Sequence, residues 1–132
     1  MQEKVTIDVM RSQLGRARGS GSAHSGVHHW YAERVTAIAL VPLTLWFIFS
    51  VIRLAGAPYP VVAHWAGHPF NAVMLLALIA MTFHHMQLGI QVIVEDYADP
   101  KWLINVLILA TKGASALLGL AAALAVLRLA LA

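Results

Sequence analysis

Three long apolar runs, separated by short polar or proline-rich breaks, set the plan of this chain. The first covers about 35–55, between Glu33–Arg34 and Arg53; the second covers about 70–94 and the third about 103–131. Each reaches the ~20 residues that an α-helix needs to cross hydrocarbon. At ~1.5 Å per residue the second run is roughly 37 Å long, enough to cross with some tilt. No Asp, Glu, Lys or Arg occurs between Arg53 and Glu95. The pattern therefore predicts an all-α membrane protein with three transmembrane helices. Pro42 falls inside the first run and predicts a local bend there. The connector GAPYPVVAHWAGHP, over 56–69, holds three prolines and two glycines, which forbid a long continuous helix. Its Tyr59 and Trp65 suit the membrane interface. A short acidic turn, EDYADPK, separates the second run from the third, where GASALLGLAAALA offers small residues, Ala116 through Gly119 among them, for close helix packing.

Composition narrows the class. Of the 132 residues, 60% are hydrophobic and 11% charged, far below the quarter or so of charged residues in a soluble domain. There is no cysteine, so this chain supplies no disulfide, iron–sulfur or thiol chemistry, and any metal must be held by His, carboxylate, Met or backbone oxygen. A net charge of +3 gives nucleic-acid binding no support. Residues 1–25 are expected to be a flexible, basic, Gly/Ser-rich arm and residues 26–132 the membrane domain. The arm has no apolar segment of the kind a secretory signal needs. Arg11, Arg16 and Arg18 fit a juxtamembrane basic arm better than a transit peptide. Together with Arg34 they place the N-terminus in the cytoplasm, the 57–69 connector and the C-terminus in the periplasm, and the EDYADPK turn on the cytoplasmic side. Arg128, near the C-terminus, argues mildly against this orientation.

The candidate chemistry is polar side chains inside or beside hydrocarbon, where they are costly and usually bound to something. In HHMQLGIQVIVEDY, His85 and Asp96 are 11 residues apart, so they differ by about 20° around a helix and lie roughly 16 Å apart along one face. Gly89, one turn on from His85, removes a side chain where a flat macrocycle would approach. That suits an axial haem ligand; the other open reading is a neutral histidine hydrogen-bonded to a neighbouring helix. His84 points about 100° away, toward the side of Leu88, Gln91 and Glu95, and reads as a packing or hydrogen-bonding residue. Asp96 and Tyr97 read by default as a solvated acid and an interfacial anchor. On the His85 face they also combine a phenol donor with a proton-handling carboxylate, the two abilities that quinone reduction needs. In GVHHWYAERVTAIAL, His28, His29 and Arg34 are either part of an interface belt with Trp30 and Tyr31 or cationic donors to an anionic group such as haem propionates. His24, His64 and His68 read as surface residues. Lys112 either snorkels to the interface or meets an anion within a complex.

The segments GVHHWYAERVTAIAL and HHMQLGIQVIVEDY resemble the smaller membrane-anchor subunits of succinate dehydrogenase, respiratory complex II, in their alpha-proteobacterial, mitochondrion-like form. The resemblance covers about 20–132, and its specific motif is a histidine followed eleven and twelve residues later by Asp–Tyr, which selects His85. It implies a chain that, with a second cytochrome b anchor subunit, forms a helix bundle holding a flavoprotein and an iron–sulfur subunit on the bacterial inner membrane. It implies a haem b between the anchors, with His85 as this chain's iron ligand and His28 and Arg34 near the propionates. It implies that electrons from succinate reach ubiquinone, linking the tricarboxylic acid cycle to the respiratory chain, with Tyr97 on a quinone carbonyl and Asp96 beside it. The chain alone would not be catalytic. Two alternatives stay open: the anchor of a related quinol:fumarate reductase, and a small proton-coupled transporter using its histidines as a relay. The transporter would require broken or repeated helices, and no internal repeat is visible.

Overall fold

A computed structural model describes residues 12–14 and 24–132. Most of the expected arm over 1–25, with Arg11, Arg16 and Arg18, and the side chain of His24, lies outside the described residues. The rest of the chain forms four helices: α1 (His24–Leu54), α2 (Tyr59–Gly67), α3 (Pro69–Tyr97) and α4 (Lys101–Leu131). Three of them, α1, α3 and α4, are long and apolar enough to cross a membrane. The chain is an all-helical, multi-pass membrane protein.

The helices outrun their apolar segments. α1 begins at His24 rather than near residue 35, so His28, His29 and Arg34 are helical rather than in a loop. Nothing in HHWYAERV breaks a helix, and hydrophobicity marks only the part that meets hydrocarbon. Pro42 lies inside α1 without ending it. In the connector, the prolines place a short helix rather than prevent one. Pro58 is extended and caps α2, and Pro60 sits in the first turn, where a missing N–H costs nothing. Gly56 turns the chain after α1 with φ of 78°, a conformation glycine adopts freely. His68 is extended, as a residue before proline prefers, and α3 then starts at Pro69. This nine-residue helix was not visible as a period in the sequence.

α3 is the central helix, with α1 on one side and α4 on the other, and α2 leans mainly on α4. Close approach depends on small residues. A Cβ at Gly119 would stand 3.3 Å from the Phe83 ring, and Ser115 is buried. Ala116, in the same stripe, is exposed. A Cβ at Gly67 would collide with the backbone carbonyl of Leu129, so α2 rests directly on the last turn of α4. Gly67→Ala is therefore expected to push α2 outward and cost about 1–3 kcal/mol, read as a lower Tm in detergent. An unchanged Tm would show that the two segments separate freely. Few side chains are buried: Ala66, Ala72 and Leu88 are the apolar ones, with Thr36 and Ser115. Many large apolar residues face outward, which is the proper state for a surface covered by lipid or by other membrane helices.

Candidate functional site

His85 lies on α3, half-buried, opposite Thr36 of α1. Its Nδ1 is 2.9 Å from Thr36 Oγ1. The same hydroxyl is 2.8 Å from the Ala32 carbonyl and 3.0 Å from the Glu33 carbonyl. A threonine hydroxyl has one proton to donate. With that proton directed to the preceding turn of α1, Oγ1 must accept, and Nδ1–H of His85 must donate. In that arrangement the lone pair is on Nε2, which has no protein partner among the described residues. An imidazole held through one nitrogen, with the other bare, is the arrangement that metal-binding histidines use.

The ring borders an open apolar groove of about 400 Å³, lined by Ala37, Leu40, Val41, Thr44 and Leu45 of α1. Gly89, one turn on, has nothing within 4 Å of where a Cβ would be, so the space beside it is unfilled by the described residues. Among the described residues no three His, Cys, Asp or Glu side chains converge on a metal position. A single imidazole beside an apolar groove fits a metallomacrocycle that brings its own equatorial ligands, and does not fit a bare ion.

His84 occupies a different space. With His28, His29, Glu33, Glu95 and Lys112 it borders a polar cavity of about 610 Å³ between α1, α3 and α4. Gln91 donates to Glu95 at 2.8 Å on its wall, and the buried Nε2 of His29 has no partner among the described residues. Lys112 thus shares a space with two carboxylates, an arrangement that sequence periodicity alone left undecided. His28 is in this cavity and not in the His85 groove. Arg34 is exposed, with its guanidinium 5.6 Å from the Trp30 ring centroid, within cation–π range. On helix geometry it shares the α1 stripe of Val41 and Leu45, which line the groove. The structure therefore places His28 and Arg34 on different faces of α1. His64 and His68 are exposed.

Asp96 and Tyr97 close α3, both exposed, Tyr97 to 86%. The side chain of neither hydrogen-bonds to another described residue. The unbroken run of α3 from His85 to Asp96 keeps the two on one face, as the spacing implies. Thr36 was missed by sequence reasoning. A threonine in an apolar helix normally bonds back to its own preceding turn, so nothing in the local sequence marks it as a partner for a residue on another helix.

The family model for the succinate dehydrogenase/fumarate reductase transmembrane subunit matches residues 8–127. The succinate dehydrogenase hydrophobic membrane anchor subunit of Rickettsia bellii is 35% identical over 102 residues, 77% of this chain and 82% of that protein. The Rickettsia conorii protein of the same name is 35% identical over 100 residues, covering 75% of this chain and 79% of its own. That of Paracoccus denitrificans is 33% identical over 81 residues, 61% of this chain and 63% of its own.

Proposed function

The chain belongs to the succinate dehydrogenase/fumarate reductase transmembrane-subunit family, and from that premise we propose that it anchors a succinate:ubiquinone oxidoreductase in the bacterial inner membrane. Its partners in this reading are a flavoprotein subunit, an iron–sulfur subunit and a second cytochrome b anchor. With the second anchor it holds a haem b. Oxidation of succinate to fumarate releases two electrons and two protons, and reduction of ubiquinone to ubiquinol consumes the same number. The N-terminus is cytoplasmic and the C-terminus periplasmic, from the arginine bias.

The observation that carries the haem reading is the Thr36–His85 hydrogen bond, with the bare Nε2 and the apolar groove beside it. The haem supplies one-electron redox chemistry to the membrane domain when bound. His85 is this chain's ligand for it, and Thr36 orients the imidazole. Gly89 leaves room beside the ring. Arg34 extends from the groove-side stripe of α1 and supplies a cation for a propionate. His28 is assigned the same role; its place in the neighbouring polar cavity makes any such contact depend on how α1 meets the second anchor.

Tyr97 and Asp96 form this chain's part of the ubiquinone site. The phenol donates to a quinone carbonyl, and the carboxylate orients the phenol or passes a proton to the reduced oxygen. Their exposure supports a site completed by other subunits, because a quinone pocket needs walls that this chain does not provide there.

The decisive experiment is purification of the native membrane complex, with identification of its subunits and a reduced-minus-oxidised spectrum. A four-subunit complex with a b-type spectrum and succinate-driven quinone reduction is expected; a lone homo-oligomer without flavoprotein or haem would sink the reading. Thr36→Val preserves shape while removing the acceptor for Nδ1–H. It is expected to weaken haem retention by 10–100-fold, in the range of lost outer-shell partners, and to leave subunit composition unchanged. Full haem retention in that variant would show that the hydroxyl does not set the imidazole.

A further inference from the structure

At the end of the bundle remote from Asp96, α1, α2 and α3 enclose a cavity of about 510 Å³ that neither the haem reading nor the quinone reading uses. Its lining includes Trp46, Phe49, Ser50, Arg53, Trp65 and Asn71. The Trp46 and Trp65 rings stack with centroids 5.8 Å apart and planes 24° from parallel, joining α1 to α2. Ser50 Oγ donates to the Trp46 backbone carbonyl one turn back on α1 at 2.8 Å, and Asn71 Nδ2 donates to the Trp65 backbone carbonyl at 2.8 Å, tying α3 to α2. The wall is thus built from three helices.

Arg53 is the charge in this cavity, and nothing on the described chain neutralises it. Its guanidinium makes no ion pair or hydrogen bond with another described residue. Every described side-chain carboxylate, namely Glu33, Glu95, Asp96 and Asp99, belongs to the opposite end of the bundle. A guanidinium presents five N–H donors in a planar fork matched to phosphate oxygens. One and two turns down the same side of α1 lie Phe49 and Leu45, both exposed, continuing the wall into the apolar span.

We propose that this cavity binds the phosphate of an anionic phospholipid. Arg53 clasps the phosphate, the Trp46–Trp65 pair supports the headgroup at the interface, and an acyl chain follows Phe49 into the apolar span. The absence of a carboxylate from the lining selects against zwitterionic headgroups, whose ammonium would find no counter-charge there. The apolar continuation along α1 selects a lipid over free phosphate.

The test uses the assembled complex, wild type and with Arg53→Gln or Arg128→Gln, equilibrated with vesicles of equal phosphatidylglycerol and phosphatidylcholine. After detergent purification the retained lipids are counted by mass spectrometry. Wild-type complex is expected to retain phosphatidylglycerol over phosphatidylcholine. Arg53→Gln should lower that retention roughly fivefold, on the scale of one interfacial basic residue. Arg128→Gln, at the same end but outside the lining, should leave it unchanged. Equal retention in the Arg53→Gln complex, equal retention of both lipids by wild type, or displacement of the lipid by millimolar inorganic phosphate would each overturn the proposal. If Arg53→Gln prevents assembly, delipidated wild-type complex is given each lipid separately. A larger rise in Tm with phosphatidylglycerol supports the site, and equal rises refute it.

Discussion

Replacing His85 with alanine is expected to abolish the b-type haem spectrum of the purified complex, whereas His84→Ala should leave it in place. The two residues are adjacent in sequence but face different environments. His85 is tied through Nδ1 to Thr36 and borders the apolar groove, with Nε2 bare. His84 is exposed in the polar cavity among Glu33, Glu95 and Lys112 and makes no hydrogen bond to α1. Under the proposed ligation the variant lacks this chain's donor to the haem iron, so the spectrum itself would report the effect, independently of turnover. An equal loss of haem in the His84 variant would refute the ligand assignment. Removing His85 also leaves Thr36 with its bonds to the Ala32 and Glu33 carbonyls, so α1 is not deprived of its own hydrogen bonding.

The second large effect is expected at Tyr97. Tyr97→Phe keeps the ring and removes the donor, so haem content and subunit composition should stay as in the wild type. Quinone reduction should fall by about 10²-fold or more, the scale seen when one preorganised donor to a developing oxyanion is lost. Tyr97 is the last residue of α3 and stands clear of the rest of the chain, so its removal disturbs no internal packing. Stopped-flow reduction of a ubiquinone analogue by succinate, with the haem spectrum recorded on the same sample, separates a kinetic role from a structural one. Unchanged quinone kinetics would take Tyr97 out of the site.

Both predictions concern residues that were legible in the sequence, and for one reason. The helical period is a local property of the backbone, so the spacing of His85, Gly89 and Asp96 fixes their common face before any tertiary contact is known. The three spans were legible for a similar reason: hydrocarbon selects length and apolarity, which are read directly from the chain. The outer turns of α1 and the short helix α2 were less visible. Their residues meet the interface, where no single period or composition is imposed, and prolines that look like breakers serve there as caps.

The sequence by itself determined that this is a three-span membrane protein with an imidazole and a carboxylate on one helix face and a phenol next to that carboxylate. Only the tertiary structure decided which nitrogen of His85 is free, since the deciding hydroxyl is 49 residues away on another helix. It also put Lys112 in one cavity with two carboxylates, and set Arg53 beside a tryptophan pair from two helices. Those arrangements depend on how helices rotate and pack against one another, and that energy is spread over many weak contacts between residues far apart in the chain.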